Sequence, residues 1–227
     1  NSGGRVSGVR VKGPEGMEDI EAGAVVLASG GFEANPEMRL QYLGEPWDRA
    51  KVRGTPYNQG DGLRMALDIG AMRSGQWDGC HSTPISADWG DFAPREMTDK
   101  SNRLSYLYGV MINREGFRFL DEGKDVQFLT YAKYGRIILT QPGGTAFQFF
   151  DQKTVDLLEP RYSTSEPVVA DTLEDLIAKL GIDDKGQALE TLNQYNAAAC
   201  DPDGFDPSAK DGLSTQGLDI EKTNWAI

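Results

Sequence analysis

Two glycine clusters are the residues whose spacing speaks most directly of chemistry. The apolar run AGAVVLASGGF, residues 22–32, ends in Gly30 and Gly31, where a backbone free of Cβ atoms can approach a ligand closely or simply turn. In NQGDGLRMALDIGA, residues 58–71, Gly60 and Gly62 flank Asp61 ahead of a helical pattern. A helix N-terminus offers free N–H groups and partial positive charge, which suits a phosphate or dinucleotide; an ordinary loop would read the same. No G-x-G-x-x-G fingerprint occurs in the chain, so a complete Rossmann nucleotide site is not expected. His81, the single histidine, stands in GCHSTP and reads either as a functional group or as a surface or satisfied core residue. Cys80 and Cys200 lie too far apart for metal-like spacing or a disulfide framework, so no metal site is expected. They read as free or buried thiols of a reducing, cytoplasmic compartment.

These residues need elements to hold them. Val6, Val9 and Val11 alternate with polar residues, a Gly-Pro-Glu-Gly turn follows, and Ile20 to Ala28 reads as a second extended stretch that becomes a buried strand. Leu63, Ala66, Leu67 and Gly70 share one helical face, with Asn58 or Asp61 as the cap. Residues 77–105 are irregular, and ordered loops of that length are usually functional. GVMINREGFRFLDE, residues 109–122, reads as a hairpin turning at Asn113–Gly116; a weak helix is expected over 131–139 and a strand over 145–152. Leu173, Leu176, Ile177 and Leu180 fall at helical spacing after an Asp171-Thr172 cap, and Lys185–Ala199 gives a further helix with Ala188, Leu189, Leu192 and Tyr195 inward. Strands and helices mix without a βαβ rhythm, which is the α+β pattern.

With 227 residues, 39% of them hydrophobic, the chain can build one sizeable core or two small ones. It has no apolar run of membrane-spanning length, and its first residues lack a signal peptide's basic start and apolar core. The formal charge of −12 disfavours nucleic acid, yet a few local cations can still dominate the field around a small anionic substrate.

Four blocks in order carry a family likeness: VVLASGGFEANPEM (25–38), NQGDGLRMALDIGA (58–71), GVMINREGFRFLDE (109–122) and VVADTLEDLIAKLGID (168–183). Together they resemble the fumarate reductase/succinate dehydrogenase flavoprotein superfamily. GQWDGCH (75–81) and LTYAKYGRIILTQPGG (129–144) look most like its tricarballylate dehydrogenases. The resemblance implies an α+β capping, or substrate, domain over residues 71–227, with residues 1–70 as the end of the first segment of a Rossmann-like FAD-binding domain. Ala28, Ser29, Gly30, Gly31, Gly60, Asp61 and Gly62 match turns that line FAD in the family. His81 matches a histidine region that holds a substrate carboxylate. Proton transfer falls to an arginine beyond the hairpin, for which Arg136 and Arg118 are the candidates; Arg118 also reads as a structural ion pair. Tyr106, Tyr108, Tyr131 and Tyr134 could donate hydroxyls to a carboxylate or pack inward, and Leu104 stands where some relatives have a histidine.

The implied activity is FAD-dependent hydride transfer with a small polycarboxylate such as tricarballylate, fumarate or succinate. The family's fingerprint and its C-terminal return to the FAD domain have no match in the chain, so a fragment is expected that neither retains FAD nor catalyses alone. Its expected partners are the remainder of its own FAD domain and, through the exposed inter-domain face, another copy of itself. The alternatives are a flavoprotein for a bulkier apolar substrate of the 3-ketosteroid kind, or a catalytically silent interaction domain.

Overall fold

The computed structural model describes residues 4–200, 209–210, 212 and 214–225. The chain opens with an antiparallel hairpin, β1 (Gly8–Gly13) against β2 (Gly16–Glu21), pairing Gly8 with Glu21 and Gly13 with Gly16. A short helix α1 (Pro36–Leu43) follows, started by the Asn35 side chain, which accepts from Met38 N at 3.0 Å. Next come α2 (Asp61–Asp68) and a long irregular passage with two single 3₁₀ turns, at Thr98–Ser101 and Ser105–Tyr108. The second half holds β3 (Val110–Asn113), α3 (Gln127–Leu139), β4 (Ala146–Phe149), α4 (Leu173–Lys179) and α5 (Lys185–Ala198).

β3 and β4 pair antiparallel, Val110 opposite Phe149 and Asn113 opposite Ala146, and every residue of β3 is buried. Both faces of this ribbon are covered. Alternation along β3 sends Val110 and Ile112 to one side, where Ile177, Ile182, Ala188, Leu192 and Tyr195 of the α4–α5 region meet them. Met111 points to the other side, into Leu104, Tyr106, Leu107, Leu120 and Tyr134 beneath α3. Helix, ribbon, helix pair: the core is a three-layer α+β stack, as the mixed sequence pattern implied.

Several expectations change in detail. The run 22–28 forms no strand; Ala22 N donates to Ser7 O at 2.9 Å, and the run is largely exposed rather than buried: Val26 is 88% and Leu27 47% accessible. A buried strand needs neighbours on both edges and cover on both faces, and none of the described strands lies beside this one. The hairpin at 109–122 keeps its turn, with Gly116 N donating to Asn113 O at 3.1 Å, but its outgoing limb contributes a single bridge, Ile112 to Arg118. The ladder goes instead to β4, whose alternating Phe147 and Phe149 complete the apolar face toward α4 and α5. Helix α3 begins at Gln127, earlier than its apolar pattern suggested. α2 is capped by Gly60 at φ 83°, not by Asn58 or Asp61; Asp61 is the first helical residue and pairs with Arg64 at 2.5 Å. Among the described residues no helix is long and apolar enough to cross a membrane.

Candidate active site

The two glycine clusters lie against each other. Gly60 N donates to Gly31 O at 3.0 Å, and Ala34 N to Asn58 O at 3.0 Å, so the turn after residue 28 and the entry to α2 form one double loop. Gly30 and Gly60 both take left-handed backbone, φ 80° and 83°, which a side chain would strain. A Cβ at Gly30 would meet Asn58 Oδ1 at 3.0 Å, and one at Gly62 would strike Ser29 Oγ. Gly30 and Gly60 are thus required by their backbone conformation whatever else approaches, whereas at Gly31 and Gly62 the nearest obstacles are the ends of the Glu33 and Ser29 side chains. The Glu33 carboxylate folds back over the loop, accepting from Asn58 Nδ2 at 3.0 Å and lying 2.6 Å from where a Gly31 Cβ would stand. Ala28 and Ser29 are exposed on the same edge.

Behind the loop sits a cation that sequence reading missed. Arg39, on α1, is buried and, among the described residues, donates only to backbone carbonyls: Glu33, Trp47 at 2.7 Å, Asp48 at 2.8 Å and Ala50 at 3.0 Å. Burial pulls its guanidinium below the usual range, with Cys80, Asp48 and Asp91 acting the other way. Nothing in MRLQYL marks Arg39 as inward, because a solvent-facing arginine on a short helix has the same pattern. Its value to the site is a fixed positive charge whose hydrogen bonds are spent on holding residues 33–50 together.

His81 lies in the irregular passage and shares a 2.7 Å hydrogen bond from Nε2 to the Tyr131 hydroxyl, its ring edge-on to the tyrosine with centroids 5.0 Å apart. One residue on, Ser82 Oγ donates to Ala132 O at 2.8 Å. This close approach depends on Gly135: a Cβ there would stand 2.6 Å from Thr83 N and 2.8 Å from Ser82 C. Helix α3 therefore presents Tyr131 to this passage, and Arg136, the residue after the glycine, is exposed. Arg136 makes no hydrogen bond or ion pair to another described residue. The Cys80 thiol, next in sequence to His81, feels nearby charges. Although the residue has exposed surface, desolvation raises its pKa, Arg39 opposes this, Glu33 adds to it and Arg136 opposes it. Cys80, the chain neighbour of His81, thus lies within electrostatic reach of Arg39, Glu33 and Arg136.

The other candidates have other work. Arg118 is buried beneath Tyr195, its ring 5.2 Å away; it pairs with the fully buried Glu122, at 3.2 Å from Nε, and donates to Ile220 O. Tyr106 and Tyr134 are core residues, bonded to Thr130 Oγ1 at 2.6 Å and to Asp121 O. Tyr108 is half-buried at the edge of the same cluster.

The two glycine turns and the start of α2 form one wall, while His81 and Tyr131 meet where the irregular passage packs on α3. The wall suits a dinucleotide: α2 starts without any side-chain cap, so its first N–H groups are unclaimed by side chains, and no Cβ obstructs them at Gly60 or Gly62. The class these features suit is a dinucleotide-binding protein. Known proteins make it specific. Residues 1–156 match the FAD binding domain family, and the chain belongs to that family, within the succinate dehydrogenase/fumarate reductase flavoprotein superfamily, whose cofactor is FAD. It is 32% identical over 200 residues to the fumarate reductase (cytochrome) of Shewanella frigidimarina, covering 86% of this chain and 32% of that protein. Against the 3-oxosteroid 1-dehydrogenase of Mycolicibacterium smegmatis it is 28% identical over 221 residues, 86% of this chain and 37% of the other. A solved 3-ketosteroid delta1-dehydrogenase of Sterolibacterium denitrificans superposes with a TM-score of 0.58 at 26% identity, over 85% of this chain and 36% of that one. The chain thus spans about a third of the length of the curated relatives it matches.

Proposed function

We propose that this chain forms the substrate-facing part of an FAD-dependent oxidoreductase that transfers hydride to or from a small polycarboxylate such as fumarate, succinate or tricarballylate. In this reading residues 1–70 close the first segment of the FAD domain and residues 71–227 form the capping domain. The observation that carries it is the 2.7 Å bond of His81 to Tyr131 on α3, next to Cys80, which feels Arg39, Glu33 and Arg136. Ser29 to Gly31 and Gly60 to Gly62 would hold the cofactor, which when bound exchanges hydride with a substrate carbon at its ring nitrogen.

The chain's own residues then divide the remaining work. His81, held by Tyr131, donates to one substrate carboxylate, and the tyrosine fixes the ring so that little orientation is lost on binding. Arg136, whose donors are unspent on described residues, neutralises a carboxylate and serves as the proton-transfer group at the carbon next to the hydride position. Arg118 is the second candidate for that role, but its donors go to Glu122, Leu120 O and Ile220 O. The buried charge of Arg39 raises the potential at the loop without touching the substrate.

A second reading, a bulkier apolar ketosteroid-like substrate, has one observation in its favour: Phe128 and Leu129, on the first turn of α3, are 72% and 71% exposed. Steady-state kinetics of the full-length protein separates the two. His81→Ala is expected to raise KM for fumarate or tricarballylate at least about tenfold, the loss of one charge-assisted hydrogen bond. Unchanged KM and kcat would remove His81 from the site, and turnover of a 3-ketosteroid but no dicarboxylate would favour the second reading.

A further inference from the structure

A cavity of about 500 Å³ is lined by Arg53, Gly54, Thr55, Arg95, Thr98 and Asp99, sharing no residue with the site above. Arg53 is half-buried and already oriented: its Nη1 donates to Asn102 Oδ1 at 2.9 Å, and Asn102 is itself buried and bridged to Ile85. That one bond leaves the rest of the guanidinium fork unspent. Arg95 is exposed and makes no hydrogen bond or ion pair with another described residue. The Thr55 hydroxyl accepts from Tyr57 N at 3.3 Å, which leaves its proton for a ligand. A side chain at Gly54 would meet nothing within 4 Å, so the floor is open.

The only carboxylate in the lining is already satisfied. Asp99 pairs with Arg161 at 2.8 Å and accepts from Thr98 Oγ1 at 3.2 Å, and Arg161 is the main cause of its depressed pKa. Thr98 itself sits at φ 43°, a backbone conformation that a β-branched residue seldom takes, and such strain gathers where a segment is held for use. In a chain of formal charge −12, this is a local excess of cation: two lining arginines, with a third neutralising the one acid. Two guanidinium forks facing a cavity are the arrangement that recognises planar or tetrahedral oxyanions by paired hydrogen bonds.

We infer that the Arg53–Arg95 cavity is a binding site for a small oxyanion carrying two or more negative charges, either a phosphate ester or a polycarboxylate. The inference is independent of the flavin assignment. Calorimetric titration of the chain at low ionic strength, with inorganic pyrophosphate in one arm and citrate in the other, tests it. Saturable 1:1 binding is expected in at least one arm. Pyrophosphate alone assigns the phosphate class, citrate alone the carboxylate class, and both together the shared oxyanion chemistry. Arg95→Gln, an exposed substitution that leaves the fold intact by circular dichroism, should weaken binding about tenfold or more. Asp99→Asn should strengthen it by removing the lining acid and releasing Arg161. Arg10→Gln on the β1–β2 hairpin is the control for net charge. Absence of saturable binding in both arms, an Arg95→Gln affinity equal to wild type, weaker binding in Asp99→Asn, or an equal loss in Arg10→Gln would each overturn the site.

Discussion

Gly135→Ala gives a test in which two physical effects have opposite signs. In the middle of a helix, replacing glycine with alanine removes backbone freedom from the unfolded chain and stabilises by about 1 kcal/mol. Gly135 occupies such a position in α3. The added methyl, however, would stand 2.6 Å from Thr83 N, 2.8 Å from Ser82 C and 2.8 Å from Thr83 Cα. All three are backbone atoms, so no rotamer change relieves the overlap; the passage or the helix must retreat by the better part of an ångström. Overpacking of that kind costs roughly 1–3 kcal/mol, and three backbone contacts put this site at the upper end. The net expectation is destabilisation by about 2 kcal/mol, or about 1 M in urea midpoint for a slope near 2 kcal/mol/M. The retreat must also lengthen the Ser82–Ala132 and His81–Tyr131 bonds. Because His81 is the single histidine, its ring resonances report on that contact without overlap. The expected result is a lower urea midpoint together with shifted His81 signals. A Gly135→Ala protein as stable as wild type, with unmoved His81 resonances, would refute the claim that this glycine sets the approach of α3 to the site.

Three further outcomes follow from the same geometry. Glu122→Gln should cost about 3–5 kcal/mol in urea unfolding, because it strands the buried Arg118 cation and weakens the bond from Met111 N at 2.7 Å. Arg118→Met together with Glu122→Gln should cost less than the two separate losses combined; simple additivity would show that the pair is not coupled. Alkaline conditions should lower the urea midpoint from about pH 10 upward. Tyr195 is pushed up to about 12 and Tyr106, Tyr134 and Tyr162 are also raised, all chiefly by burial. A raised folded pKa means that the unfolded chain releases its protons first, so stability is complete below the unfolded tyrosine pKa and drains as pH rises through the folded one. A flat midpoint between pH 9 and 12 would contradict this. The kinetic effect of His81→Ala, set out above, completes the set.

Local chemistry wrote part of this protein in its sequence. The Thr172 side chain caps α4 at Asp175 N, 3.1 Å away, and Ala188, Leu192 and Tyr195 face inward from α5, because caps and helical periodicity act over a few neighbouring residues. The glycine clusters and the four ordered blocks likewise carried the flavoprotein family. Long-range packing decided the rest. No local signal told Arg118 to turn inward to Glu122 rather than outward, or Arg39 to vanish under four backbone carbonyls. AVVL has the composition of a buried strand, but burial belongs to neighbours, and no described strand pairs with this one. His81 and Tyr131 are fifty positions apart, and only the glycine that lets α3 close on residues 82–83 puts their rings in contact. Residue types are chosen one at a time along the chain; a site is a set of distances, and distances exist only once the chain has packed.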